Sequence, residues 1–231
     1  MFRRDESPQA AAITEGKIMP DATKQRDMTA IASLSFEAAF RASLDDAGGA
    51  LVRNEAGAEN LCVAQIETPL DTMVAIADDH ALHMLEFFDR SIFSREVEVI
   101  TQATGKSVAV AENPVIRTIR NELGAFFAGA KGTFETPLAL HGTDFVQSVW
   151  RVLLRVPPGE TRSYGALSHD LNNPRAVRAV AQANGANRLA IVVPCHRIIG
   201  ADGSLMGYGG GLWRKRWLLD HEIRHFGHRL L

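Results

Sequence analysis

A chain of 231 residues with 46% hydrophobic and 23% charged residues has ordinary globular composition, enough for one large domain or two small ones. Two cysteines, Cys62 and Cys195, exclude a disulfide scaffold and a four-cysteine zinc site, and the apolar runs fall far short of the roughly 18 residues a membrane span needs. The net charge of −2 conceals an asymmetry: residues 151–231 hold twelve Lys/Arg against five Asp/Glu, a local +7 that leaves −9 on the rest, and a basic C-terminal third fits a polyanion-binding module as well as it fits chance surface charge.

The N-terminus, MFRRDESPQAAA, starts basic but has no apolar segment of signal-peptide type, so a reducing cytoplasm is the expected compartment. Residues 1–26 are polar and read as a disordered tail. Met28 to Leu44 places apolar residues at helical spacing and predicts a short helix ending at Gly48-Gly49. LCVAQIET, TMVAIADD and ALHMLEFF, separated by Pro69 and by Asp78-Asp79, predict a three-stranded antiparallel sheet, with Cys62 in its core. Helices are expected near Ser91–Thr104 and near Asn113–Ala128, the second with a stripe of Val115, Ile116, Ile119, Leu123 and Phe126. TPLALHG reads as a short strand or extended segment.

Thr143 then looks like an N-cap for a helix carrying Phe145, Val149, Trp150, Val152 and Leu153, stopped by Pro157-Pro158-Gly159. Tyr164–Leu171 reads as a short helix. Asn172-Asn173-Pro174 turns the chain into a second helix, Arg175–Asn184, with Pro174 in its first turn and Gly185 as its C-cap. Helix, turn and arginine-bearing helix together resemble a helix-turn-helix, a weak signal by itself. Leu189–Val193 (LAIVV) is a buried-strand candidate running into Pro194-Cys195-His196-Arg197. GADGSLMGYGGG follows as a loop, and LWRKRWLLDHE as a last helix. The glycines after position 200 do not open a dinucleotide fingerprint, because no strand precedes them at the required spacing.

A cysteine beside a histidine is a nucleophile candidate, since basic and cationic neighbours favour the reactive thiolate. Taken alone, the pair reads equally as a small buried thiol and a core histidine. The longer string NRLAIVVPCHRIIGADG, with YGALS before it and GYGGGLWRKRWLLDHE after it, resembles the O6-alkylguanine-DNA alkyltransferase family, the methylated-DNA–protein-cysteine methyltransferases, from about Leu61 to Glu222.

The resemblance implies an α+β fold: an acidic N-terminal domain of ribonuclease-H-like topology over 59–140 and a C-terminal winged-helix-like domain over 141–224. A 1–58 extension would precede them and a 225–231 tail follow. It implies that Cys195 accepts the alkyl group in a single irreversible turnover, that His196 deprotonates it through a water, and that Glu222 completes the relay. Asn187 would brace the active-site turn, and Tyr164 would help rotate the nucleotide and donate to the base. Arg178 would fill the gap left by the flipped base, with Arg175 and the small Ala179 on the same DNA-facing helix. Ile198, Leu205, Tyr208, Gly209, Gly210 and Lys215 would lie at the base pocket, and glycine at 209, where some members have serine, bears on tolerance for bulky alkyl groups. The implied partner is double-stranded DNA containing O6-alkylguanine, with O4-methylthymine left open, engaged by a monomer in a bacterial cytoplasm or nucleoid, without cofactor, metal or membrane.

Three other classes compete. A non-enzymatic alkylated-DNA binder of the alkyltransferase-like kind replaces the acceptor cysteine, typically with tryptophan, and Cys195 argues against it. An alkylation-sensing regulator needs a second DNA-reading module. IASLSFEAAFRASLDDAGG resembles only the end of an AraC-like one, without its zinc-binding cysteines. A cysteine hydrolase would require a histidine distant in sequence and an oxyanion hole, and nothing in the chain demands either.

Overall fold

The computed structural model describes residues 36–45 and 60–227. The expectations for the first 35 residues and for the Gly48-Gly49 stop lie outside these. The chain divides between Ala39 and Phe40. Helix α1 (Phe36–Asp45) begins before that point, and everything that follows concerns the second unit.

A sheet comes first. Strands β1 (Leu61–Ile66), β2 (Met73–Ala77) and β3 (Leu82–Phe87) run antiparallel, as expected, but a fourth strand, β4 (Val108–Val110), lies parallel to β1 on its free edge, giving the order β3-β2-β1-β4. The three-stranded reading missed β4 because three residues are too short to show alternation. All of β2 and β3 is buried, Glu86 included, so these strands lie inside the core. Cys62 is only half-buried on β1, less enclosed than expected.

Helix α2 (Phe93–Thr104) turns Phe93, Val97 and Ile100 inward and ends on Gly105, whose φ of +65° suits the left-handed cap that glycine adopts freely. Helix α3 (Pro114–Phe127) is set by Asn113. Its Oδ1 accepts the N–H of Ile116 at 2.9 Å, and its Nδ2 donates to the carbonyls of Ala77 and Asp78, so one side chain caps the helix and ties it to the end of β2. Pro137, Leu138 and Ala139 then make a short bridge to Leu82.

The remaining segment is mostly helical: α4 (Asp144–Leu153), α5 (Tyr164–Asp170), α6 (Val177–Gly185) and α7 (Leu212–Phe226), with a two-residue parallel pair β5 (Arg162–Ser163) and β6 (Ile198–Ile199) between them. The class is α+β, as the sequence implied. Thr143 and Ser163 cap α4 and α5 through their hydroxyls. Trp150, 1% exposed, donates its indole N–H to the Ala183 carbonyl at 2.8 Å and so locks α4 to α6.

Two details of the expected helix pair change. Asn172 takes a φ of +54°, a conformation asparagine tolerates, so the chain stays in a turn through Pro174 and Arg175, and α6 begins only at Val177. Gly185 is the last helical residue and the cap is Ala186.

Leu189–Val193 is not a strand. Its backbone closes on itself in turns, Val192 to Ala190 and Val193 to Leu189, and Ile191 sits at φ +70°. The whole run is buried all the same, because it docks on the edge of β3: Leu85 donates to Arg188 O at 2.9 Å, and Ala190 donates to Leu85 O at 2.8 Å. A short buried apolar run has this appearance whether it is strand or turn. The turn delivers the chain, at Pro194, into the single-turn 3-10 helix Cys195–Arg197.

Candidate active site

Cys195 is 6% exposed and opens that 3-10 turn. Its position is fixed by Asn187, buried at the end of α6. The Asn187 amide nitrogen donates to Val193 O at 2.8 Å and to the Cys195 sulfur at 3.1 Å, while its oxygen accepts from Leu189 N at 3.0 Å. One side chain therefore holds both ends of the strained turn and touches the thiol. A β-branched residue at positive φ costs of order 1–3 kcal/mol, and these contacts hold Ile191 there. Burial lifts the thiol to about 11, against the opposing hydrogen bond from Asn187 and the positive charges of Lys215 and Arg90. The free protein therefore stores Cys195 as a neutral thiol.

Behind the thiol lies a fully buried charged relay. His196 Nε2 stands 2.8 Å from Glu222 Oε1 on α7, and both side chains have zero exposure. Arg197 completes the group, with Nε 2.9 Å from Glu222 Oε2, Nη2 2.8 Å from Oε1, and Nη1 donating to Val156 O at 2.6 Å. The Gly159 N–H fills the last position on Oε2. Burial alone would raise the Glu222 carboxyl. The hydrogen bonds and charges of His196 and Arg197 outweigh it and bring the group down to about 2. Burial holds His196 below its ordinary value, so the imidazole is neutral at pH 7. A neutral imidazole facing a carboxylate through Nε2 carries its proton there, which leaves Nδ1 a free base. Nδ1 is buried and has no hydrogen-bond partner among the described residues.

In front of the thiol is a small cavity lined by Cys195, Asn187, Asn184, Tyr208, Gly209, Gly210, Glu86 and Arg90. The Tyr208 hydroxyl and the Asn184 amide oxygen are buried without partners among the described residues. Tyr164 is half-buried at the start of α5, and burial pushes its phenol up, so it stays protonated. Lys215 has zero exposure, and its ammonium donates to Ile198 O at 2.5 Å and Met206 O at 2.6 Å, so it fastens the glycine-rich loop from beneath rather than facing the cavity. Arg214 secures the same loop through Gly210 O at 2.9 Å while bridging Asp71, Asp89 and Leu70 O beside the sheet. Leu205 is half-buried in the loop, and Ile198 is buried at its start.

Of the residues singled out from sequence, Cys195, Asn187, Tyr208, Gly209 and Gly210 meet at the cavity, and His196 and Glu222 meet behind it. Arg175, Arg178 and Ala179 are exposed, Arg175 in the turn before α6 and the other two on that helix. Glu86, Arg90, Asn184 and Arg197 were missed. Arg197 stood in the PCHR string. Glu86 carried one signal, the only carboxylate in a strand that is otherwise apolar but for His83.

Residues 144–224 match the family model described as 6-O-methylguanine DNA methyltransferase, DNA binding domain. A methylated-DNA–protein-cysteine methyltransferase of Mycobacterium tuberculosis is 56% identical over 102 residues, which cover 44% of this chain and 62% of that protein. One from Methanosarcina acetivorans is 38% identical over 159 residues, 69% of this chain and 96% of the relative. The crystal structure of M. tuberculosis OGT in complex with DNA superposes with a TM-score of 0.62 at 39% identity, covering 71% of this chain and 94% of that one. Among the described residues no helix is long and apolar enough to cross a membrane.

Proposed function

This chain belongs to the methylated-DNA–protein-cysteine methyltransferase family, and from that premise we propose that it repairs DNA by direct reversal, drawing an alkyl group from guanine O6 onto Cys195. The observation that carries the reading is the buried thiol at the end of a cavity, backed by a neutral histidine on an ionised, arginine-held carboxylate.

A thiol stored at about 11 needs a base at the moment of reaction. His196 Nδ1 is that base, taking the proton through a water while Glu222 steadies the imidazolium that forms. The sulfur attacks the alkyl carbon in line, an S–C bond forms and the C–O6 bond breaks. The departing guanine takes a proton from Tyr164. The thioether is stable, so each molecule acts once.

A stacked base cannot bring O6 to a buried sulfur, so the nucleotide must leave the duplex, at a cost of a few kcal/mol. Arg178 is the residue proposed to occupy the gap, with the small Ala179 admitting the backbone closely, Arg175 contacting the DNA beside it and the +7 of residues 151–231 attracting phosphate. Tyr208, Gly209, Gly210, Ile198 and Leu205 are assigned to the base pocket, Lys215 to holding its loop, and O4-methylthymine is included as a second substrate. The working units are read as 59–140 and 141–224, with 1–58 and 225–231 flanking them, and the site of action as the cytoplasm.

The test is intact-protein mass after incubation with duplex DNA containing O6-methylguanine. A gain of about 14 Da on Cys195, absent in Cys195→Ala, is the expected mark of a covalent acceptor. Tight binding without a mass gain would move the protein to the lesion-binding class.

A further inference from the structure

Glycine at 209 removes a side chain from the pocket wall, yet it leaves no free space. A Cβ built there would lie 2.6 Å from Nη2 and 2.7 Å from Cζ of Arg90. The volume is filled by a guanidinium from another part of the chain. Arg90 follows β3, and its side chain is only 9% exposed. It pairs through Nη1 with Glu86 Oε2, whose side chain is 2% exposed and whose Oε1 accepts the Phe87 N–H at 2.9 Å.

The two partners differ in freedom. Glu86 is paired with Val74 within the sheet and follows Leu85, which is bonded to Arg188 and Ala190. Arg90 stands beyond the end of the strand on a long, rotatable stem. The pair therefore has one fixed end and one end able to swing. Both residues line the cavity that holds the sulfur, and the thiol feels both charges, Glu86 opposing its ionisation and Arg90 favouring it.

We propose that Arg90, anchored by Glu86, sets the upper size of the group that Cys195 can accept. A methyl group needs room only at the sulfur. A larger substituent must extend into the cavity wall at Gly209, where the guanidinium sits, and can be seated only by breaking a nearly buried ion pair. The glycine at 209 therefore does not enlarge the acceptor site in this chain, because an arginine from the sheet side replaces the missing bulk. The inference rests on the alkyl-transfer reading above.

The experiment compares rates of Cys195 alkylation by two free bases, O6-methylguanine and O6-benzylguanine, followed by intact mass in wild type, Arg90→Ala, Arg90→Lys and Glu86→Gln. Free bases remove DNA binding from the comparison. The benzyl-to-methyl rate ratio is expected to rise on the order of tenfold or more in Arg90→Ala, the scale on which a pocket discriminates by bulk. It should rise less in Glu86→Gln, which frees the guanidinium without deleting it, and return close to wild type in Arg90→Lys. A ratio unchanged in both Arg90→Ala and Glu86→Gln overturns the proposal, and where Arg90→Ala does not fold, Glu86→Gln decides it. Absence of any transfer to wild type from O6-methylguanine in duplex DNA is a different result: it removes the alkyl-transfer reading, and the gate with it.

Discussion

Glu222→Gln is the substitution whose consequences can be worked through most fully. The carboxylate receives His196, two nitrogens of Arg197 and the Gly159 N–H with no exposure to solvent. An amide of the same shape keeps part of that hydrogen bonding but leaves the Arg197 guanidinium buried without a counter-charge, which costs roughly 3–5 kcal/mol. An independent route gives a similar figure. The carboxyl is brought from 4.5 to about 2, and at about 1.4 kcal/mol per tenfold change that is on the order of 3 kcal/mol. Because the folded value lies below the unfolded one, this stability is whole above pH 4.5 and drains away as the pH falls through about 2. Urea unfolding of wild type and Glu222→Gln should therefore show a gap of about 3 kcal/mol at pH 7 that narrows steadily between pH 4.5 and the lowest pH at which both fold. A gap below about 1 kcal/mol at pH 7, or one that does not change with pH, would refute the reasoning. The variant should also lose alkyl transfer steeply, since the carboxylate fixes which imidazole nitrogen is the base.

Three further outcomes follow from the same geometry. Asn187→Ala leaves Leu189 N unpaired in the core and Val193 O with only the Cys195 N–H, so it should cost about 1–3 kcal/mol in urea unfolding and slow transfer to Cys195. In the DNA-free protein, iodoacetamide labelling of Cys195 should climb about tenfold per pH unit from neutrality towards 11, because only the thiolate reacts. Peptide masses read this directly, and a plateau below pH 9 would mean a thiol already ionised by its neighbours. Arg178→Ala should depress transfer from duplex DNA far more than transfer from free base, because only the duplex route needs the vacated stack filled.

What the sequence revealed and what it hid divide along a physical line. Helices with one apolar face, such as α3 and α4, were legible because their periodicity is local. The grouping of Cys195, His196, Asn187 and Glu222 was legible because PCHR, Asn187 and Glu222 stand in a specific string. The run Leu189–Val193 misled because buried residues are apolar in turns as in strands, and Ile191 is held at positive φ only by Asn187 and the edge of β3. Glu86 and Arg90 stayed hidden because they belong to the site only when the sheet is laid against the glycine-rich loop, and nothing in ALHMLEFFDR states that adjacency. Arg214 reaches Asp71 across 143 residues, a distance no local pattern reports.

Helix α7 has a consequence for how the molecule comes into being. Arg214, Lys215 and Glu222 all lie on it, and their partners, from Leu70 and Asp71 through Gly159, Arg197, Ile198 and Met206, are all synthesised earlier. During translation the sheet, helices α2 to α6 and Cys195 itself precede the element that fixes the loop and carries the carboxylate bonded to His196 and Arg197. A nascent chain stalled before α7 has the Cys195 thiol without the carboxylate that holds His196, so on the alkyl-transfer reading competence arrives only with that helix.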